Sequence, residues 1–281
     1  MPNHPRKRHR LRFVLFAVLL GLALLGSWAL DAGESKGPAT LSTLKGHTET
    51  VYSVAFSPDG QWLVSASKDR TVKMVETATG KSLLTFSGMD QDVLTVAVSP
   101  DGKQIVSSGL ESQLFWWNPK TGERVRRQNG HGVAVHEVCF SKDGKRVASA
   151  GADRTVRLWA SDTGNVQQTI NVGSIAYAVA LTPDGQRVAA AGADGLVRLY
   201  DTTGRHLLTF LSLPPTGEQH DWLAIAPEGY ANGSDSLVGL GQWRMAGKGV
   251  GAEPVWKTLR QAEAIGKANR GEPLAPPTFS K

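Results

Sequence analysis

The sequence predicts an all-β fold made of a repeated four-stranded unit, and three observations support this prediction. A Ser-Pro-Asp-Gly turn or a close variant recurs at residues 57–60, 99–102, 141–144, 182–185 and 226–229, at steps of 42, 42, 41 and 44 residues. Each turn lies between two short apolar runs, and Asp-Gly between such runs is a strong hairpin signal. The 31 glycines and 14 prolines suit a chain of many short strands.

Further turns divide each repeat into four strands. A second hairpin is predicted near residues 68–70, 110–112, 152–154 and 193–195, and a third turn at 79–80, 121–122, 163–164 and 203–204. The most complete repeat is GHGVAVHEVCFSKDGKRVASAGADRTVRLWA at residues 130–160. A period of about 40–45 residues with a Gly-His start and a Trp-Asp-like end is that of WD40 blades.

On these residues the chain resembles the WD40-repeat proteins, of a bacterial exported type, from residue 41 to at least residue 210. The resemblance implies a β-propeller over residues 41–250 with about five blades. Four are clear, near residues 44–86, 87–128, 129–170 and 171–211, and one is divergent, near 220–247. The segment 41–44 would be the strand that closes a five-bladed ring. The alternative is an open array that a partner completes.

In WD40 proteins a His, a Ser or Thr, an Asp and a Trp of one blade form a hydrogen-bonded chain. The resemblance assigns this structural tetrad in full to the third blade, as His131, Ser149, Asp153 and Trp159. The other sets are incomplete: His47, Ser65 and Asp69 with Val75 in the first blade, Ser107 and Trp117 with Met89 and Glu111 in the second, and Asp194 with Val172, Ala190 and Tyr200 in the fourth. We therefore expect the third blade to be the most rigid.

The family also implies where partners dock, on the face where the first strand of each blade begins. The candidate protein-binding rim consists of Tyr52, Lys68, Leu94, Leu110, His136, Tyr177 and Asp221. This mixture of apolar and aromatic residues with few charges is typical of protein interfaces. An ordinary solvated rim is the alternative.

The N-terminus has the layout of a secretory signal or a signal anchor. Five basic residues lie within residues 1–12, and residues 13–30 carry no charge. This predicts a signal peptide or membrane-spanning N-terminal helix over 1–30, followed by a linker over 31–40. Cleavage after Ala29 and retention both remain open, whereas a lipoprotein anchor is excluded because no cysteine directly follows the apolar run. We expect an exported protein, anchored in the inner membrane if the leader is retained and otherwise periplasmic or secreted.

Charge and motif content exclude several classes of function. The net charge is +6, but without the five leader residues the chain has 26 basic and 25 acidic residues, which argues against a nucleic-acid partner. No phosphate-binding loop, nucleophile elbow or metal-ligand spacing occurs, and we interpret Glu218, His220 and Asp221 as a solvated loop and Cys139 as a structural thiol. We predict no cofactor, no metal and no catalytic residue.

The sequence thus predicts a non-catalytic scaffold outside the cytoplasm that binds protein partners and that can form a homo-oligomer. Two alternatives are an enzyme with a site in the propeller channel and a self-associating structural protein of the cell envelope. Residues 251–281 are predicted to form a short helix within 254–269 and a Pro-rich tail.

Overall fold

The computed structural model describes residues 46–212, 222–234 and 257–277, and the backbone of 243–245 and 248–250. The chain divides into two compact units, residues 1–45 and residues 46–281, and every described strand and helix belongs to the second unit. The predicted leader, the linker and the closing strand at 41–44 lie outside the described residues. In the part of the chain that is described, no helix has the length and apolar character needed to cross a membrane.

Sixteen strands form four sheets in the order in which they occur in the chain, so the all-β prediction with four clear repeats is confirmed. Blade I contains β1 (Val51–Phe56), β2 (Trp62–Ser67), β3 (Val72–Glu76) and β4 (Ser82–Phe86). Blade II contains β5 (Val93–Val98), β6 (Ile105–Gly109), β7 (Gln113–Trp117) and β8 (Arg124–Asn129). Blade III contains β9 (Val135–Phe140), β10 (Arg146–Gly151), β11 (Thr155–Ala160) and β12 (Val166–Asn171). Blade IV begins with β13 (Ala176–Leu181), β14 (Arg187–Gly192), β15 (Leu196–Asp201) and β16 (His206–Ser212).

The first hairpin of each blade is held by the side chains of its turn. In blade I, Ser57 Oγ donates to Asp59 Oδ1 at 2.6 Å and accepts from the Trp62 amide at 3.0 Å. Gly60 follows at φ +69°, which a side chain would disfavour. The same hydroxyl-to-carboxylate bond recurs at 2.6, 2.6 and 2.5 Å in the next three blades. The repeated turn motif therefore encodes a repeated physical clasp.

Apolar layers between consecutive blades form the core. The inner strands β1, β5, β9 and β13 contact one another in series. One layer lies between blades I and II, one between II and III, and one between III and IV. Each blade from II to IV thus packs one of its faces against the blade before it.

The structure corrects the prediction of a separate fifth blade near residues 220–247. Strands β17 (Trp222–Ile225) and β18 (Ala231–Gly233) form the hairpin predicted around 226–229, but β17 pairs with β16, so blade IV is a six-stranded sheet. Strands β19 (Trp243–Met245) and β20 (Lys248–Val250) form a separate hairpin. An outer strand offers unpaired amides and carbonyls, and β16 offers this edge to the segment that comes after it.

The C-terminal helix α1 (Ala262–Asn269) lies within the predicted range but begins eight residues later than residue 254. Its Ala268 and Ile265 pack with Leu208 and Ala226 beside blade IV. Arg187 Nη1 donates to Asn269 Oδ1 at 3.3 Å, which ties the end of the helix to β14. The helix therefore covers part of the last blade.

Candidate functional site

Blade III contains a continuous chain of four hydrogen-bonded side chains. Trp159 Nε1 donates to Ser149 Oγ at 2.8 Å, and the Ser149 hydroxyl lies 2.7 Å from His131 Nε2. His131 Nδ1 lies 3.0 Å from Asp153 Oδ1. Because a carboxylate only accepts, Nδ1 carries the proton and Nε2 accepts from Ser149. Two strands, the turn between them and the loop before β9 are thereby joined through their side chains.

The electrostatics of blade III favour this arrangement. Burial lowers the pKa of His131 against the opposing effect of Asp153, so the imidazole is held neutral. Burial raises the pKa of Asp153, but hydrogen bonds from Thr155 and His131 outweigh this effect and the net shift is downward. Ser149 is fully buried and Trp159 is equally inaccessible. A nucleophile at this place could not contact a substrate, so the set acts as a structural clasp.

Two glycines are required around this clasp by close contacts. A Cβ on Gly130 would lie 2.0 Å from Trp159 Cη2, and a Cβ on Gly151 would lie 2.2 Å from His131 Nδ1. By contrast, a Cβ on Gly132 would meet no atom within 4 Å. The Gly-His and Ala-Gly-Ala-Asp segments of the repeat are therefore explained by packing.

Blade I has three members of the set. His47 Nδ1 lies 2.7 Å from Asp69 Oδ2, and His47 Nε2 lies 2.7 Å from Ser65 Oγ. Burial raises the pKa of Asp69, but hydrogen bonds from Thr71 and His47 dominate and lower it to about 2. Since Val75 replaces the Trp, Ser65 has no indole donor.

Blades II and IV replace the missing polar members by apolar packing. In blade II, Trp117 Nε1 donates to Ser107 Oγ at 2.8 Å, and the Ser107 hydroxyl then meets the sulfur of buried Met89 at 3.6 Å. In blade IV, Asp194 instead accepts from Arg198 Nη2 at 2.6 Å. The remaining positions of blade IV are buried Val172, Ala190 and Tyr200.

A second set of polar residues, which the tetrad pattern does not include, links the inner strands. Val96 N donates to Ser53 Oγ at 3.4 Å, Val138 N to Thr95 Oγ1 at 3.1 Å, and Val179 N to Glu137 Oε2 at 2.7 Å. Ser53, Thr95 and Glu137 occupy the third position of β1, β5 and β9. Their signal in the sequence is one polar residue at a fixed place in an apolar run.

The acceptor of the bond from the Val179 amide is a carboxylic acid, Glu137, in the layer between blades III and IV. Burial raises the pKa of Glu137 against the opposing effect of the Val179 amide. Cys139, two residues further along β9, packs against the same layer. Burial, with a smaller contribution from Glu137, raises the pKa of the Cys139 thiol to about 12, so it stays protonated. Both side chains belong to the core rather than to a reactive site.

The candidate rim is partly exposed. Tyr52, Leu110 and Tyr177 are 46%, 43% and 52% exposed. The ring centroids of His136 in blade III and Tyr177 in blade IV lie 4.9 Å apart, so the two blades are in contact at this rim. Lys68 forms an ion pair with Glu49 at 3.8 Å, Leu94 is half-buried, and Asp221 lies outside the described residues.

Potential metal ligands are dispersed over the described residues. In that part of the chain, no three His, Cys, Asp or Glu side chains are grouped in a way that could hold a metal ion. Glu218 and His220 fall outside that part, as does Asp221.

Comparison with known proteins identifies the repeat. The family model described as "WD domain, G-beta repeat" matches residues 39–75, 80–118, 122–160 and 165–201, which is more than half of the chain. The transcriptional repressor rco-1 of Neurospora crassa is 41% identical over 54 residues, 19% of this chain and 9% of that protein. The vegetative incompatibility protein HET-E-1 of Podospora anserina is 49% identical over 47 residues, 17% of this chain and 4% of that protein.

An uncharacterized WD repeat-containing protein of Synechocystis, sll1491, is 42% identical over 60 residues, 21% of this chain and 17% of that protein. Each similarity thus spans less than a fifth of the relative's length. The similarity is limited to the repeat, so the activities of those proteins are not assigned to this chain.

Proposed function

Because the chain belongs to the WD40 repeat family, whose members serve as protein-interaction scaffolds, we propose that it is a non-catalytic scaffold that binds its partner through the candidate rim outside the cytoplasm. The observation that carries this proposal is the aromatic pair of His136 and Tyr177 at the candidate rim, where Tyr52 and Leu110 are also exposed. Tyrosine combines a large apolar ring with a hydroxyl and is enriched where protein interfaces are most strongly held.

The charge of the rim favours a protein partner over a nucleic acid. Its described cation, Lys68, is paired with Glu49. Binding to a phosphate backbone depends on clustered Lys and Arg, which release counterions from the nucleic acid. An apolar rim with one balanced ion pair is better suited to a protein surface.

The polar clusters support a structural role over a catalytic one. The Ser149, His131 and Asp153 set has the composition of a hydrolytic triad, but Ser149 is fully buried and accepts the indole proton of Trp159. Its hydroxyl therefore has no open side toward a substrate. The proposal accordingly assigns no catalytic residue.

Export is proposed from the leader alone. Five basic residues before an uncharged span of 18 residues are the layout of a signal peptide or signal anchor. Alkaline phosphatase fused after Thr40 should be active in a bacterial host, because that enzyme folds only after export. An inactive fusion would refute the location, and the size of the fused product distinguishes cleavage after Ala29 from retention.

Affinity capture tests the rim. The tagged full-length chain should retain a specific protein that the double variant Tyr52→Ala, Tyr177→Ala loses. A matched double variant, Val125→Ala and Val166→Ala, changes residues of similar exposure on the outer strands β8 and β12 and should retain it. Equal capture by both double variants, or no specific capture, would contradict the rim assignment.

A further inference from the structure

A cavity of about 210 Å³ lies in blade II, and its lining includes Lys103, Gln104, Trp116, Val125 and Arg126. These residues surround the start of β6, the end of β7 and the start of β8, within the continuous described range 46–212. The rim residues of blade II lie at the start of β5 and after the end of β6, so the cavity is at the other end of the blade. Since a cavity of about 150 Å³ can hold benzene, this one has room for an amino-acid side chain.

The register of blade II places three polar groups of the cavity on the side of the sheet that faces blade III. Trp116 on β7 is paired with Val106 on β6 and with Arg126 on β8. Gln104 lies two residues before Val106, and alternate residues of an extended chain share a face. Val106 and Trp116 belong to the apolar layer between blades II and III. Gln104, Trp116 and Arg126 therefore line the cavity from one face.

The indole ring of Trp116 is packed tightly, but its N–H is not used. The ring contacts the Trp159 ring edge-on at a centroid distance of 6.2 Å, and the guanidinium carbon of Arg126 lies 5.7 Å from the ring centroid. Trp116 is 1% exposed, and within the described part of the chain its Nε1 has no hydrogen-bond partner. A buried donor without a partner destabilises a fold.

Packing between blades does not require an indole at this place. The equivalent residues are Met74 in blade I, Leu158 in blade III and Leu199 in blade IV, each at the same position of its strand pair. Those side chains fill the layer without a polar group that needs a partner. An unsatisfied buried donor that the repeat does not demand is typical of a site where a water or a ligand binds.

Gln104 provides an acceptor to match this donor. Its Oε1 atom is buried and also has no hydrogen-bond partner among the described residues. The cavity is thus lined by one unpaired donor, Trp116 Nε1, and one unpaired acceptor, Gln104 Oε1. A peptide group carries one acceptor and one donor, so a peptide group can satisfy both atoms.

Two positive charges border the cavity. Arg126 Nη1 donates to the carbonyl of Ser161 at 3.2 Å, and Nη2 donates to the carbonyl of Asp162. Both acceptors are uncharged, so they leave the charge of Arg126 uncompensated. Lys103 Nζ lies 3.8 Å from Asp101 Oδ2, but both side chains are more than half exposed, and such surface pairs are weak. These charges favour a carboxylate ligand.

We propose that this cavity binds an acidic side chain, Asp or Glu, of a peptide segment in a partner protein. The carboxylate lies against Lys103 and Arg126, and the adjacent peptide group pairs with Trp116 Nε1 and Gln104 Oε1. Because both of these atoms are shielded from solvent, binding includes a turn of the half-buried Gln104 side chain that gives access to them. The cavity is separate from the rim, so this inference goes beyond the proposed function.

Titration of the full-length chain with a short acidic peptide tests the site. The probe is acetyl-Ala-Glu-Ala-amide at up to about 5 mM, a concentration suited to weak ligands. Acetyl-Ala-Gln-Ala-amide is the matched neutral control. The acidic peptide should shift the NMR signal of the Trp116 indole N–H, which is identified by its loss in Trp116→Phe. The neutral peptide should bind at least about fivefold more weakly, because it lacks the attraction to the two cations.

Charge reversal gives a second readout at an exposed residue, where folding is not at risk. Lys103→Glu should weaken binding of the acidic peptide by about fivefold or more. Lys145→Glu makes the same change of charge at the equivalent exposed position of blade III and should leave binding unchanged. The rim double variant Tyr52→Ala, Tyr177→Ala should also bind the peptide normally, which separates the two surfaces.

Four results would overturn the proposal. The first is an unchanged Trp116 indole signal in the presence of the acidic peptide. The second is equal binding of the acidic and neutral peptides, and the third is equal binding by Lys103→Glu and Lys145→Glu. The fourth is equal binding of glutarate, which has carboxylates but no peptide group, because the pairing with Gln104 and Trp116 would then contribute nothing.

Discussion

Ser149→Ala should destabilise the chain more than the same substitution in any other blade. Ser149 Oγ accepts from Trp159 Nε1 at 2.8 Å and lies 2.7 Å from His131 Nε2, and it is fully buried. Removing the hydroxyl leaves two buried polar groups without this partner. Each such group costs about 1–3 kcal/mol, so the expected loss in the free energy of unfolding for the two groups is about 2–6 kcal/mol.

The equivalent serines provide matched controls. Ser107→Ala leaves one strong donor, Trp117 Nε1, without its acceptor, because Met89 sulfur binds the hydroxyl only weakly. We expect it to cost about 1–3 kcal/mol. Ser65 is partly exposed and bonds His47 without an indole donor, so Ser65→Ala should cost about 1 kcal/mol.

Urea unfolding followed by circular dichroism measures these differences. The midpoint should be lowest for Ser149→Ala, higher for Ser107→Ala and highest for Ser65→Ala, with an unchanged slope against denaturant. If Ser65→Ala cost as much as Ser149→Ala, the number of buried partners would not determine the contribution of the network. A changed slope would indicate loss of two-state unfolding instead.

Three further predictions concern packing and titration. Gly130→Ala should destabilise the chain by more than about 2 kcal/mol, because its Cβ would overlap Trp159, whereas Gly132→Ala should be neutral within about 1 kcal/mol; thermal melting compares the two. Glu137→Gln keeps an acceptor oxygen and removes a buried acid whose pKa is raised by burial. It should therefore stabilise the chain at pH 7 by about 1 kcal/mol. This gain should disappear near pH 4, where the native acid is protonated. Burial lowers the pKa of His131, so the unfolded chain binds its proton first and stability should fall as pH drops below about 6.5; urea midpoints of His131→Gln should show a smaller fall.

The repeat made most of the fold predictable from the sequence. Asp-Gly turns with a preceding Ser or Thr determine the first hairpin of each blade through local bonds such as that between Ser57 and Asp59. The four clear blades arise because these signals recur at a fixed period. The candidate tetrad could be placed in the same way, residue by residue, and the structure brings His131, Ser149, Asp153 and Trp159 within hydrogen-bonding distance.

The end of the array was not predictable by the same reasoning. The run from Trp222 to Ile225 has the alternation of an inner strand, but whether it starts a new sheet or joins an old one depends on the free edge of β16. In the same way, Val54 and Val96 occupy one repeat position, yet they are 61% and 4% exposed. Local patterns specify strands and turns, whereas exposure depends on which blades meet.

Native-state hydrogen exchange tests most directly the central claim that the complete buried network makes blade III the most stable part of the array. Amides of β10 and β11 should exchange more slowly than those of β2 and β3 in blade I and of β14 and β15 in blade IV, because opening blade III breaks the bonds of Ser149 as well as the sheet. Exchange in blade III as fast as in blade I or blade IV would contradict the claim.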